Sequence, residues 1–170
     1  MALLMMLSGC VSLSDRTLSG VWGHWQHGSK DRAIALAGGE VERYVEGNDL
    51  RMSEVERVAR DALKSLEETP IVDGRTTRRP TPGDLLARGP FELAREVRAD
   101  LRSGSAVAVL RALHTVGSLG LKRYALDVLG VIYRPEPYEG GDSFWGEASG
   151  PLRSVAIKWA ALESLKKLAL

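Results

Sequence analysis

The chain has 170 residues, of which 44% are hydrophobic and 26% are charged, and its formal net charge is +1. This length and composition predict one globular domain with a sizeable core and leave little room for a second. The near-neutral charge argues against a general nucleic-acid binder, because such proteins need clustered excess cation. No stretch approaches the roughly 20 apolar residues that span a bilayer, and a single cysteine excludes an internal disulfide.

The first segment, residues 1–13, is apolar and contains that cysteine. An apolar run at 2–7 leads into Ser8, Gly9 and Cys10. A branched apolar residue, a pair of small residues and then cysteine resembles the lipobox at the end of a bacterial lipoprotein signal. The resemblance implies that the residues before Cys10 are removed and that Cys10 carries a lipid. The mature protein would then be anchored in the bacterial cell envelope, facing the periplasm.

This N-terminal segment also departs from the usual signal. A secretory signal begins with basic residues and has an apolar core of about 7 to 15 residues. Here the core spans about six residues, and the first basic residue is Arg16. A start placed downstream of the true one would explain the missing basic residues. The alternative is that residues 1–11 form an apolar helix in the core of a cytoplasmic protein, because free cysteine is among the most buried residue types.

The remaining residues, 14–170, show the helical period of a single all-α domain. Good helix formers fill the stretches between glycine and proline breakers, and few residues alternate apolar with polar. Ser53 and Glu56 form a capping box that predicts the start of the third helix, and Pro90 and Pro151 are typical of a first helical turn. Seven helices are predicted, at 14–26, 30–46, 54–68, 91–102, 106–116, 121–133 and 152–169.

One nine-residue pattern begins at Lys30, at Lys122 and at Arg153. In each copy a cation is followed by two variable residues, alanine, an aliphatic residue, two more variable residues, an apolar residue and a small one. The last two copies start 31 residues apart, and the first starts 92 residues before the second, close to three such units. The pattern resembles the inner helix of HEAT-like repeats, which implies a short solenoid of stacked helices. An irregular helical bundle is the alternative.

Two long loops of opposite charge interrupt the helices. The first, near 70–89, contains Pro80, Pro82 and three clustered arginines, and the second, near 134–150, contains four acids and three aromatic residues. Loops of this length are usually functional or mobile. Aromatic residues and arginine are enriched at binding hot spots. We therefore predict that the partner-binding residues are Arg75, Arg78, Arg79, Tyr138, Phe144 and Trp145.

Each loop also has a simpler interpretation. The basic loop can be a plain solvated connection between helices. In the acidic loop, Phe144 and Trp145 can fold back to cover the open end of the core beside Trp159, since aromatic pairs often simply pack.

The sequence contains no catalytic constellation, and we expect no cofactor. Ser143 lies in a Gly-Asp-Ser-Phe block similar to the nucleophile motif of one esterase class, but the last histidine, His114, precedes it, so no downstream base remains. His24 and His27 lie one helical turn apart, as in some metal sites, but zinc normally takes three or four protein ligands. A metal-dependent accessory enzyme built on this histidine pair is kept as an alternative.

The sequence thus predicts a non-enzymatic interaction or scaffold lipoprotein that binds a protein partner, within a larger envelope complex, and binds no nucleic acid. The opposite charges of the two loops would set the orientation and on-rate of the partner more than its affinity. If the apolar N-terminus is structural instead, the alternative is a cytoplasmic HEAT-like adaptor.

Overall fold

A computed structural model of the chain describes residues 13–68 and 89–170. These two ranges contain helices and no strand, which confirms the predicted all-α class. Short 3-10 turns, Leu13–Arg16 and Lys122–Tyr124, precede the first and the sixth helix. The helices are α1 Leu18–Gln26, α2 Lys30–Gly47, α3 Met52–Glu68, α4 Pro90–Leu101, α5 Ala106–Leu119, α6 Ala125–Tyr133, α7 Asp142–Trp145 and α8 Gly150–Ala169.

All seven predicted helices are present, and the differences lie at their ends. The predicted capping box is wrong, because α3 begins at Met52 and Ser53 therefore lies inside its first turn. The carbonyl of Arg51 accepts the first hydrogen bonds of α3 instead. Pro90 and Pro151 lie in first turns as predicted. The single-turn helix α7 lies within the segment that was predicted to be an irregular loop.

Helix α8 is the centre of the fold. Thirteen of its 20 residues are buried, and it packs against α2, α3, α5 and α6. A helix that is buried on all sides belongs to a core. Repeats of a solenoid contact only their sequence neighbours, whereas α8 packs on helices far earlier in the chain, so the arrangement is a helical bundle. None of the described helices is both long and apolar enough to cross a membrane.

The recurring nine-residue pattern marks residues of this core. Its alanine and the apolar residue four positions later face the same side of a helix, and a buried alanine allows a neighbouring helix to approach closely. The aliphatic position is less uniform, since Ile157 is buried while Leu126 is 41% exposed. The alanine and apolar positions are buried in all three copies, at Ala33 and Ala37, Ala125 and Leu129, and Ala156 and Ala160.

Candidate functional site

Helix α6 ends where a proline follows it. Arg134 has φ −64° and ψ 122°, the extended conformation that Pro135 favours in the residue before it. We call residues 134–141 the proline loop. The carbonyl of Glu139 in this loop accepts a hydrogen bond of 2.7 Å from the amide of Ala106. The loop is therefore tied to the start of α5.

A lysine of the central helix donates hydrogen bonds to the carbonyls at the end of α6. Lys158 is 2% exposed, and its ammonium donates to the carbonyls of Val131 at 3.2 Å, Ile132 at 2.8 Å and Arg134 at 2.5 Å. These three bonds use all three N–H donors of the ammonium. The last carbonyls of a helix have no partners within the helix and carry partial negative charge, so a cation satisfies them on both counts.

Tyr44 of α2 covers the same ammonium. Its ring centroid lies 4.2 Å from Lys158 Nζ, a contact that favours the charged form of the lysine. Burial lowers the pKa of Lys158 to about 8, and the charge of Glu40 acts in the opposite direction. Because no N–H of the ammonium is left over, Lys158 holds α6 and the proline loop in place and cannot donate to a ligand while it keeps these bonds.

Tyr138 fixes the middle of the proline loop. It is 3% exposed, its amide donates to Ser154 Oγ at 2.9 Å, and its hydroxyl donates to the carbonyl of Val131 at 3.1 Å. The guanidinium of Arg134 lies 4.7 Å from the centroid of its ring. Burial raises the pKa of Tyr138 to about 12, so its phenol stays neutral at physiological pH and keeps this bond.

The proline loop, α2 and the start of α8 enclose a cleft of about 580 Å³, which we call the proline cleft. Its walls are mainly aromatic and apolar, and its polar lining is mixed, with the exposed Glu136 and Glu139 and with Arg153. Glu136 also lies 3.6 Å from Nε of Arg134. Since the loop is bonded on several sides, the cleft is formed before any partner arrives. The residues that give it this character are Tyr44, Pro135, Glu136, Pro137, Tyr138, Glu139 and Pro151.

A second cleft, of about 720 Å³, lies on the other side of Tyr44 and Pro135, which line both. We call it the arginine cleft. Nε of Arg43 donates to Glu40 at 3.1 Å, and a second nitrogen of the same guanidinium donates to the other carboxylate oxygen. The residues that line only this cleft are Arg16, Thr17, Leu18, Glu40, Arg43, Gly130, Tyr133 and Arg134.

The hydroxyl of Tyr133 is unusual in the arginine cleft. It is buried and has no hydrogen-bond partner among the residues that the structure describes. Burial is the main cause that raises the pKa of Tyr133 to about 12, with a further contribution from Glu40. The phenol is therefore a neutral donor without an acceptor.

The aromatic residues predicted to bind a partner pack against the domain. Trp145 is 7% exposed, and Phe144 is half-buried with its ring edge-on to Trp145, at a centroid distance of 5.5 Å. Both line a polar cleft of about 340 Å³ beside Glu54 and Arg57 of α3. This packing is similar to the simpler interpretation of the sequence, in which Phe144 and Trp145 fold back over the core. A role for Tyr138, Phe144 and Trp145 in partner binding stays a prediction.

The histidines of the alternative metal site, His24 and His27, line neither cleft. Nε2 of His24 lies 3.6 Å from a carboxylate oxygen of Asp15. Within residues 13–68 and 89–170, no group of three or more histidine, cysteine or acidic residues is placed to hold a metal ion. Four predicted residues lie outside the described ranges, namely the lipidation candidate Cys10 and the binding candidates Arg75, Arg78 and Arg79.

Tyr44, Tyr133 and Lys158 were not among the site residues predicted from the sequence. Lys158 had a visible signal, since it is the one charged residue in the otherwise apolar run 155–162. Lys158 occupies a variable position of the recurring pattern, so the pattern assigned it no role. No family model, no curated protein and no solved structure matches this chain.

Proposed function

We propose that this protein is a non-enzymatic, lipid-anchored binding protein of the bacterial envelope that holds a segment of a protein partner in the proline cleft. The observation that carries the proposal is the bracing of the cleft. Lys158 donates three hydrogen bonds beneath it, and Tyr138 is bonded through both its amide and its hydroxyl. A site that is rigid before binding loses less conformational entropy when it binds.

The walls and the rim of the cleft define the partner segment. Tyrosine and proline surfaces suit an extended peptide with apolar side chains, as in other aromatic-lined grooves that bind peptides. The side chain of Glu136 is 67% exposed, and Glu139 is also exposed. Glu136 is paired with Arg134, so Glu139 is the acid that favours a basic residue in the peptide. The partner segment is therefore extended and apolar, with a basic residue that meets Glu139.

Photocrosslinking in the native host tests this site. A photoreactive amino acid replaces Pro137 in the cleft, and a matched control replaces Lys167, which is exposed on the far half of α8. We expect one adduct of defined mass from position 137 and none from position 167. Glu136→Lys combined with Glu139→Lys should abolish the adduct. Equal adducts from both positions, or an adduct that the charge reversal leaves unchanged, would contradict binding in the cleft.

The lipid anchor is tested separately by mass spectrometry of the N-terminus. We expect a diacylglycerol-modified Cys10 at the start of the mature chain. Such an anchor raises the local concentration of the binding site at the membrane without any new contact to the partner. An intact, unmodified segment 1–10 in cells would remove the anchor and leave a cytoplasmic adaptor.

The basic loop supplies a second contact in this proposal. Its arginines, which lie outside the described residues, would meet an acidic surface of the partner. Arg78→Glu combined with Arg79→Glu should weaken partner capture and reduce its salt dependence, because charged contacts are screened by salt. Capture that is unchanged at low salt would remove the basic loop from the interface.

A further inference from the structure

The arginine cleft contains donors that the described protein does not use. The side chain of Arg16 is exposed and makes no hydrogen bond or ion pair with another described residue. The hydroxyl of Tyr133 is buried and likewise lacks a partner within those residues. Buried polar groups are normally satisfied by protein or water. The buried phenol of Tyr133, in a cleft that the solvent-exposed guanidinium of Arg16 also lines, therefore points to an acceptor that binds there.

The charge of the cleft indicates what kind of acceptor fits. Three arginines line it, at 16, 43 and 134, of which Arg134 already pairs with Glu136 at 3.6 Å and donates to the carbonyl of Ser103, and its one lining carboxylate is that of Glu40. Arg43 neutralises that carboxylate through two hydrogen bonds. The fork of a guanidinium matches the oxygens of a phosphate. A phosphate monoanion or diester is thus a better fit than a cation or a neutral group.

The position of Arg16 is fixed by the turn that holds it. The hydroxyl of Thr17 donates to the carbonyl of Ser14 at 2.8 Å and accepts from the amide of Gly20 at 3.2 Å. A Cβ atom at Gly20 would lie only 2.2 Å from the same carbonyl oxygen. The turn therefore packs directly on α1 and keeps Arg16 at the mouth of the cleft.

We propose that the arginine cleft binds the phosphate of an anionic phospholipid head group. Arg16 contacts the phosphate oxygens. The side chain of Arg43, which is 71% exposed, turns so that one nitrogen reaches the phosphate while another keeps its bond to Glu40, and the phenol of Tyr133 then donates a hydrogen bond to the phosphate. Leu18 and Pro135 contact the glycerol part of the lipid.

A lipid is the source of this phosphate because of where the cleft lies along the chain. Arg16 follows Cys10 by six residues, a distance of at most about 20 Å for extended chain. This step rests on the proposed anchor, which would hold the cleft at the level of the head groups. The head group then turns the arginine cleft toward the membrane and sets the orientation of the whole bundle, including the proline cleft.

Vesicle binding tests the inference with the full chain carrying Cys10→Ser, so that no covalent lipid contributes. The probes are vesicles of phosphatidylcholine and vesicles in which part of it is replaced by phosphatidylglycerol. We expect binding to the second kind only. Arg16→Gln should weaken it about fivefold, as expected for one cation near an anionic surface, and Tyr133→Phe should weaken it by a similar factor through the lost hydrogen bond.

Arg95→Gln is the matched control, because Arg95 is exposed on α4, does not line the cleft, and its replacement changes the net charge equally. Binding of this variant should change less than twofold. An equal loss in the Arg16 and Arg95 variants would show general charge attraction and overturn the site. Equal binding to both kinds of vesicle, or to neither, would also overturn it.

Inorganic phosphate separates the lipid from a soluble anion. We expect that millimolar phosphate leaves vesicle binding unchanged beyond the effect of a chloride salt at the same ionic strength. Displacement by phosphate at micromolar concentration would identify a soluble phosphate as the ligand and overturn the lipid assignment. None of these outcomes depends on the mass of Cys10, so failure of this inference and failure of the proposed anchor are distinguishable.

Discussion

The proline cleft and the arginine cleft share Tyr44 and Pro135 but use their polar groups differently. Beside the proline cleft, Lys158 and Tyr138 donate to main-chain carbonyls, so their polar atoms maintain the shape of the wall. In the arginine cleft, the hydroxyl of Tyr133 has no acceptor among the described residues. The wall of the proline cleft thus has a fixed shape, whereas the arginine cleft keeps a hydrogen-bond donor that no described residue uses.

Removing the ammonium beneath the proline cleft is expected to have the largest effect. Lys158→Met removes a donor from three carbonyls at the end of α6, two of which keep a hydrogen bond from Tyr138 or Tyr44. We expect the free energy of unfolding at pH 7 to fall by about 2 to 3 kcal/mol. Urea unfolding measures the loss. Lys167→Met, at an exposed position of the same helix, is the control and should unfold like the wild type. Equal losses of stability in the two variants would contradict a role for Lys158 in holding α6 and the proline loop in place.

The same ammonium predicts an unusual dependence of stability on pH. The pKa of Lys158 falls from 10.5 to about 8 on folding, so between those values the unfolded chain binds more protons than the folded one. Stability contributed by this group therefore rises with pH across that window, by about 2 to 3 kcal/mol between pH 8 and pH 10. Unfolding at both pH values should show this rise in the wild type relative to Lys158→Met.

The ionisation of two tyrosines lowers the stability of the folded protein at higher pH. The pKa values of Tyr133 and Tyr138 rise from 10.0 to about 12 on folding, so their contribution is complete below pH 10 and is lost as the pH rises toward 12. The fall above pH 10 should appear in both the wild type and Lys158→Met. A wild type that shows no rise relative to the variant between pH 8 and pH 10 would contradict a lowered pKa for Lys158.

Substitution of two neighbouring glycines tests the backbone conformation of the proline loop. Gly140 and Gly141 have φ of +82° and +76°, where a side chain is strained. A Cβ atom at Gly141 would also lie 2.5 Å from Cγ2 of Val107, whereas nothing lies within 4 Å of one at Gly140. We expect Gly140→Ala to cost about 1 kcal/mol and Gly141→Ala about 2 kcal/mol. Thermal unfolding compares them, and equal costs would mean that the contact with Val107 relaxes freely.

The smallest effect is expected from removing the two tyrosine hydroxyls. Tyr138→Phe loses the bond to Val131 and should lower the free energy of unfolding by about 1 kcal/mol. Tyr133→Phe removes a hydroxyl without a partner among the described residues, so stability should stay the same or rise slightly. Urea unfolding of the pair measures this difference. Equal destabilisation would mean that Tyr133 already has an acceptor, and the contrast between the two clefts would disappear.

The helices could be predicted from the sequence because their burial follows the helical period. Local signals at the ends were less decisive, as at Ser53, where the hydrogen bonds of α3 begin two residues earlier, at Arg51, than the capping box implies. Helix α7 was missed because its four residues, 142–145, are too short to show a period and stand between glycines. Periodicity shows which stretch is helical but not the residue at which the helix begins or ends, so it identified the helices better than their boundaries.

The two clefts could not be predicted, because their side chains come from elements far apart in the sequence. Tyr44 and Lys158 meet through the packing of α2 on α8, and no local pattern encodes that contact. Aromatic residues in a loop are equally ambiguous. Tyr138 and Trp145 were predicted as binding residues, yet both are largely buried, because a loop aromatic can equally well close a core.

The central position of α8 has a consequence for the order of synthesis. The ribosome makes α8 after α2, α3, α5 and α6, the helices that pack around it. Those helices therefore leave the ribosome before the surface that buries their apolar faces exists, and the core closes only after α8 has emerged. A chain whose core stays open until α8 is made can still pass through a narrow export channel, as the proposed envelope location would require.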